Sequence, residues 1–509
     1  MPPLPEIDSL SLRSQIAQMI VVRASGYLYD HQIQYPQWEI PSPKLSQLIS
    51  EDGVGGVILV GGSAPEIYLR TQALQAQAQV PLLIAADVEE GVGQRFKGAT
   101  YFPPPMALSA ISPELSPKYA EAMGAIIAKE SSAIGVNWVL APVVDVNNNP
   151  ANPVINVRAF GQKPEQVINL TTAFIQGASK YPVLTTAKHF PGHGDTSVDS
   201  HLHTPVLDHS RDRFEQVEFP PFRAAIAASV DAVMSAHVFV PNFDAHTIST
   251  LSHPTLTGLL RHELGFTGLI VTDALIMAGV SDRHSPEAVA VQAILAGADI
   301  LLMPVDADRT INAIVEAVES GKITRDRLRL SLDRIWQAKA KIFNSDFNLT
   351  LQDVGTAESL KIAAEITTKS IQVHLPNPLQ ISTNLILVDD VLTCGEFLDS
   401  QVFQTGDRII VDAHSIGAVC QGLDKTTPTL VQIFSRGNPF RGSAGMYEQI
   451  ENLIKQLLRH NQLKAIALYG SPYNLDRLIP LLTDDIAWAF SYSQQAIAQQ
   501  EVMQKLGLI

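Results

Sequence analysis

Cysteine is almost missing: the 509-residue chain has two, Cys394 and Cys420. They form no close pair, which excludes a zinc–cysteine site and makes a reducing, cytoplasmic setting the expectation. Positive charge is also in short supply. The 36 lysines and arginines against 51 aspartates and glutamates leave a net charge of -15, which argues against nucleic acid or an anionic membrane surface as the main partner. No run approaches about 20 apolar residues, so no membrane span is expected. The first residues, MPPLPEIDSLSLRSQIAQMIVV, lack the basic start and apolar core of a signal peptide, in keeping with the cytoplasmic expectation. There is no internal repeat, no low-complexity tract and no His-Glu-x-x-His helix.

What is present is apolar and periodic. Hydrophobic residues make up 46% and charged residues 17%, the balance of a protein with a large core. Strand-like runs rich in β-branched residues occur at 19–24, 55–62, 81–87, 137–146, 182–190, 231–238, 268–274 and 298–304. Helical patterns such as APEIYLRTQALQAQAQ and PEQVINLTTAFIQGASK separate most of them. Near-continuous apolar strands alternating with helices indicate a parallel sheet covered by helices. Eight such units predict an α/β fold with a TIM-type (β/α)8 barrel, an open doubly wound sheet being the competing topology. The polar stretch 346–360 reads as a linker. Beyond it the strand–helix rhythm resumes, so the expected organisation is a catalytic barrel over 1–345 and a smaller, sandwich-like α/β domain over 361–509 without a catalytic constellation of its own.

Several strands end in polar groups: Asp87, Asp145, Lys188 with His189, His237 and Asp273. Barrel active sites are built at that end of the strands. Asp273, at the end of GLIVTDA, is held rigidly enough to serve as a nucleophile, or else simply caps the next helix, with Gly279 helping the chain turn. Asp87 in AADVEEGVGQRF can accept hydrogen bonds from adjacent sugar hydroxyls, and Arg95 can donate to hydroxyl or carboxylate oxygens; a structural Asp–Arg pair is the plainer reading. Arg158 projects from the Pro- and Asn-rich loop NPANPVINVRAFG.

The segment KHFPGHGDTSVDSHLHTP (188–205) holds four histidines. Three uses are open to it. His201 and His203 could chelate a metal with the aspartates. Asp199, two residues before His201, could fix that imidazole for proton transfer. Or some histidines, His203 and His209 among them, only stiffen the loop. Gly192 and Gly194 are expected to let its outer part move, and His193 has no assigned task.

Together, KHFPGHGDTSVDSHLHTP, IVTDALIMAG, DVEEGVGQRF and APVVDVNNNPANPVINVRAFG resemble glycoside hydrolase family 3, in its β-N-acetylglucosaminidase branch. The motifs keep the family's order over residues 10–345. The resemblance implies Asp273 as nucleophile and His201 as general acid/base with Asp199 as its partner. It implies Asp87, Arg95, Arg158, Lys188 and His189 as sugar-binding residues, with no metal and no cofactor. It implies a retaining exo-β-N-acetylglucosaminidase acting on N-acetylglucosamine-terminated muropeptides or chitooligosaccharides. Glu90 stands where the family has a glycine, so a different bend after Asp87 is expected. A phosphorylase, a family 3 β-glucosidase, a metal-dependent barrel hydrolase and a non-catalytic sugar-binding protein are the competing functions.

Overall fold

The computed structural model describes residues 4–200, 203–277, 285–344, 347–388, 407–412, 414–422, 426–436 and 448–509. The eight predicted strands of the first part are β1 (Ile20–Ser25), β2 (Gly56–Val60), β3 (Leu83–Ala86), β4 (Trp138–Val139), β5 (Leu184–Phe190), β6 (Ala232–Ser235), β7 (Leu269–Thr272) and β8 (Leu301–Leu302). They line up in chain order, every pair parallel, with β8 against β1. A bridge between Val271 and Ile300 and a hydrogen bond from Thr272 N to Ile300 O (3.1 Å) close the ring between β7 and β8. The open-sheet alternative is thereby set aside.

The apolar runs become strands because both faces are buried; every residue of β5 is buried, and Trp138 donates its indole N–H to Thr186 Oγ1 at 2.8 Å. The run at 137–146 pairs as a strand only over Trp138–Val139. Pro142 supplies no N–H to a ladder. The chain nevertheless stays alongside its neighbours, with Leu140 N donating to Ala86 O (3.1 Å) and Val144 N to Lys188 O (2.8 Å). Helix starts follow local chemistry. The Glu66 carboxylate accepts from Ser63 N at 2.9 Å and Ser63 Oγ at 2.8 Å, opening Ala64–Gln77, and the Ser285 side chain accepts from Ala288 N to open Pro286–Ala296. The segment Pro254–Glu263 is wound as a wider π-helix.

The chain leaves the barrel after helix Arg325–Phe343. The next stretch is pinned to the barrel: Lys129 pairs with Asp353 at 3.1 Å and Gly355 N donates to Glu130 Oε1 at 3.0 Å. Helix Ala357–Ser370 then leads to a second sheet made of β9 (Gln372–His374), β10 (Thr383–Val388), β11 (Asp407–Val411), β12 (Thr429–Ser435), β13 (Leu463–Gly470) and β14 (Ala487–Ser491). Its order is β11-β10-β12-β13-β14-β9, parallel except for β9. Strand alternation splits its side chains between two cores. Leu385, Leu387, Val431 and Ile433 pack with Leu453 and Leu457 of helix Glu448–Arg459, while Ile386, Val388 and Leu430 pack with Val502 and Met503 of helix Ala496–Lys505. The sheet is therefore the middle layer of an α/β sandwich. Among the described residues no helix is long and apolar enough to cross a membrane.

Candidate active site

Polar groups gather where the barrel strands end. Asp87 follows β3 and Lys188 lies within β5. The Lys188 ammonium donates to Asp87 Oδ1 at 2.8 Å and meets Glu89 Oε1 at 2.6 Å. Arg158 closes on the same Glu89 with two prongs, Nε to Oε2 and Nη2 to Oε1, both 2.8 Å. Arg158 is aimed by its asparagine-rich loop. Asn152 Oδ1 accepts from Val154 N (2.9 Å) and Ile155 N (2.8 Å), and Asn147 Oδ1 accepts from Asn156 N (2.8 Å). Burial alone would push the Glu89 carboxyl up; Arg158 and Lys188 outweigh it and hold it well below the usual range. Burial likewise lowers Lys188, and Asp87 and Glu89 overcome it, so its pKa is raised. The network is charged and neutral overall. Its opening to solvent is Asp87, whose side chain is 32% exposed against 2% for Lys188 and 5% for Glu89. Arg95 does not reach that carboxylate: its Nε donates to the Asp87 backbone carbonyl at 2.9 Å, bracing the turn.

The histidine loop is organised by a residue that sequence reasoning left without a role. Asp145, buried, meets His189 Nδ1 at 2.7 Å and accepts from the backbone N–H groups of His189 (3.2 Å) and His193 (2.7 Å). Burial raises its carboxyl, but His189 above all brings it below the ordinary value. His193 receives a task too. Its Nδ1 pairs with Thr196 Oγ1 at 2.7 Å and its Nε2 with Ser200 Oγ at 2.9 Å, folding the loop back so that Asp199 is buried. Burial, then the neighbouring His189, push its pKa down to about 4, so this imidazole is neutral near pH 7. Gly192 and Gly194 are packed tightly against neighbouring segments. A Cβ on Gly194 would stand 1.8 Å from Val146 O, and one on Gly192 (φ +135°) 2.5 Å from Glu218 Cγ, so glycine here permits close packing. Farther out, Asp195 accepts from Arg213 Nη2 (3.3 Å) and lies 3.0 Å from His209 Nε2, and His203 N donates to Asp199 O at 2.9 Å. His201 and Gly279 lie outside the described residues. Among those described, no group of three or more His, Cys, Asp or Glu side chains is arranged to hold a metal ion.

Asp273 follows β7. Its backbone N–H donates to Ser235 O (3.1 Å) and its Oδ1 accepts from Ala274 N (2.8 Å). His237, beyond β6, braces the same turn through Nε2 to Ala274 O at 3.1 Å and Nδ1 to Thr250 Oγ1 at 2.8 Å. A carbonyl only accepts, so Nε2 carries the proton. Lys188 and Arg158 are engaged with Asp87 and Glu89. The structure thus joins Asp87, Lys188 and Arg158 in one network and His189 with the Asp199 loop in a second, and sets Asp273 at the same end of the barrel. Glu89, Asp145, His193 and His237 complete these arrangements. Asp145 and His237 were visible as strand-end residues; Glu89 had only its place two residues after Asp87 as a signal.

Residues 11–338 match the glycosyl hydrolase family 3 N-terminal domain, and residues 376–507 match the bacterial glycosyl hydrolase family 3 C-terminal domain. The chain is 37% identical over 362 residues to beta-hexosaminidase A of Pseudoalteromonas piscicida, covering 65% of this chain and 60% of that protein. It is 32% identical over 299 residues to a beta-N-acetylglucosaminidase/beta-glucosidase of Cellulomonas fimi, covering 57% and 52%. The chain thus spans between half and two thirds of these relatives' length. A family 3 beta-N-acetylglucosaminidase from Paenibacillus sp. superimposes with a TM-score of 0.81 at 30% identity, over 98% of this chain and 97% of that one. With both of its parts matched in order, the chain belongs to glycosyl hydrolase family 3.

Proposed function

We propose that the chain is a retaining exo-β-N-acetylglucosaminidase. Asp273 attacks the anomeric carbon of a terminal sugar while His201, partnered by Asp199, protonates the departing glycosidic oxygen. Water deprotonated by His201 then releases the sugar from its covalent bond to Asp273. The open Asp87 carboxylate accepts from neighbouring hydroxyls of that sugar, with Lys188, Arg158, His189 and Arg95 setting its surroundings. His193, neutral near pH 7, adds no charge beside the nucleophile.

The observation that carries this reading is the Asp87–Lys188–Glu89–Arg158 network, which offers one partly exposed carboxylate at the barrel end that also bears Asp273. A preference for N-acetylglucosamine is supported by the names of the relatives and by the long histidine motif. On the same resemblance, the natural substrate is an N-acetylglucosamine-terminated fragment of peptidoglycan, with chitooligosaccharides as the simpler equivalent. A panel of nitrophenyl β-glycosides tests the proposal. The N-acetylglucosaminide is expected to turn over fastest; a faster glucoside would overturn the branch. Product analysis with and without inorganic phosphate separates hydrolysis from phosphorolysis, and sugar 1-phosphate as the product would overturn hydrolysis.

A further inference from the structure

Glu89 and Glu90 are consecutive, yet they take their arginines from different parts of the fold. Glu89 holds Arg158 of the barrel. Glu90 holds Arg436, which directly follows β12 of the second sheet: Nη2 to Oε1 is 2.6 Å and Nη1 to Oε2 is 3.2 Å. The Glu90 side chain is 1% exposed. The loop is gripped at a second point, where Gln495 Nε2 donates to Phe102 O (3.2 Å) while Phe102 N donates to Glu90 O (2.7 Å). Gly91 makes the turn beside Glu90 at φ +98°, where a Cβ would stand 2.4 Å from Thr100 O. The loop therefore bends tightly at 91, and the carboxylate at 90 is turned toward the second sheet.

A buried carboxylate is tolerated only while its partner is present. Without Arg436, the Glu90 charge would be left uncompensated, and the loop would rearrange to solvate it. Glu89 is the adjacent residue and Asp87 lies three back, so the rearrangement would reach the proposed sugar-binding carboxylate. We propose that Arg436 is a positioning residue: through its ion pair with Glu90, the C-terminal domain sets the loop after β3 and so the affinity of the barrel's sugar site. This rests on the glycosidase reading above.

The test is the KM and kcat of Arg436→Ala, Glu90→Gln and the double variant on nitrophenyl β-N-acetylglucosaminide. Arg436→Ala is expected to raise KM by roughly tenfold or more with a smaller change in kcat. Adding Glu90→Gln removes the stranded charge and is expected to restore most of the lost affinity, which a merely structural contact would not do. A KM for Arg436→Ala within about twofold of the unmodified protein, or no rescue by Glu90→Gln, overturns the proposal. Should the alanine variant fail to fold, Arg436→Lys keeps the charge but loses the two-pronged bond. It is then expected to raise KM severalfold, and an unchanged KM there overturns the proposal equally. If the unmodified protein cleaves no β-glycoside, the functional reading fails instead. Calorimetric binding of N-acetylglucosamine to the same variants then decides the positioning claim alone, with weaker binding by Arg436→Ala supporting it and equal binding overturning it.

Discussion

The Lys188 ammonium and the Glu89 carboxylate lie 2.6 Å apart with both side chains almost wholly excluded from water. A charge so placed is stable only as part of its pair, so removing either partner exposes the full desolvation penalty of the other. Lys188→Met is expected to destabilise the barrel by about 3–5 kcal/mol in urea unfolding and to weaken sugar binding through Asp87. A loss below about 1 kcal/mol, the scale of a surface pair, would contradict the network. The shifts set the pH window. Glu89 is depressed, so its contribution is present above the ordinary 4.5 and lost as pH falls through its lower folded value. Lys188 is raised, so its contribution is present below the ordinary 10.5 and lost as pH rises through its higher folded value.

Two groups around the histidine loop pull the pH dependence of stability in opposite directions. His193 falls from 6.5 to about 4, so between those values the unfolded chain binds the extra proton and stability declines as pH falls. Glu218, packed against Gly192 and paired with Arg213, has its carboxyl raised by burial from 4.5 to about 7. Between those values the folded chain binds the extra proton, and stability declines as pH rises. Each effect amounts to roughly 3 kcal/mol across its window. His193→Gln is therefore expected to leave a stability that drops with rising pH between 4.5 and 6.5, and Glu218→Gln one that climbs, relative to the unmodified protein. Denaturant midpoints at several pH values check this; parallel profiles for all three proteins would refute it.

The proton-transfer role proposed for His201 is separable from folding. His201→Ala is expected to slow glycosides with poor leaving groups by about 10²–10⁴-fold and nitrophenyl glycosides much less. Equal losses on both would rule out the acid role.

Tyr473 ties the second domain to the loop that carries Arg158. Its hydroxyl donates to Asn147 O at 3.0 Å and accepts from Asn147 Nδ2 at 2.6 Å. Tyr473→Phe takes the hydroxyl donor from Asn147 O and the shorter of two acceptors from Asn147 Nδ2, and is expected to lower stability by about 1–3 kcal/mol, measured by thermal unfolding.

Sequence legibility tracked the range of the interaction. The eight barrel strands could be read because each is a local apolar run, and Asp87, Lys188 and Asp273 because strand ends in a barrel converge. The ten-residue strand expected at 137–146 shrank to Trp138–Val139, since only part of that run finds ladder partners around Pro142. Asp145 was in view, but its hold on His189 and His193 depends on how a loop 44 residues away folds back. The hold of Arg436 on Glu90 spans 346 positions, and no local pattern at either residue announces it. The second domain, read as lacking catalytic groups, still reaches the site loops through Arg436, Tyr473 and Gln495.

The central claim is that Asp273 carries the sugar between the two steps. An N-acetylglucosaminyl fluoride with a second, ring fluorine slows both steps, so the intermediate accumulates. After incubation, peptide mass spectrometry is expected to find one sugar bound as an ester to the peptide holding Asp273, and none in Asp273→Ala, whose turnover should fall on the order of 10⁴-fold or more. A sugar bound to another residue, or near-normal turnover by Asp273→Ala, would contradict the account.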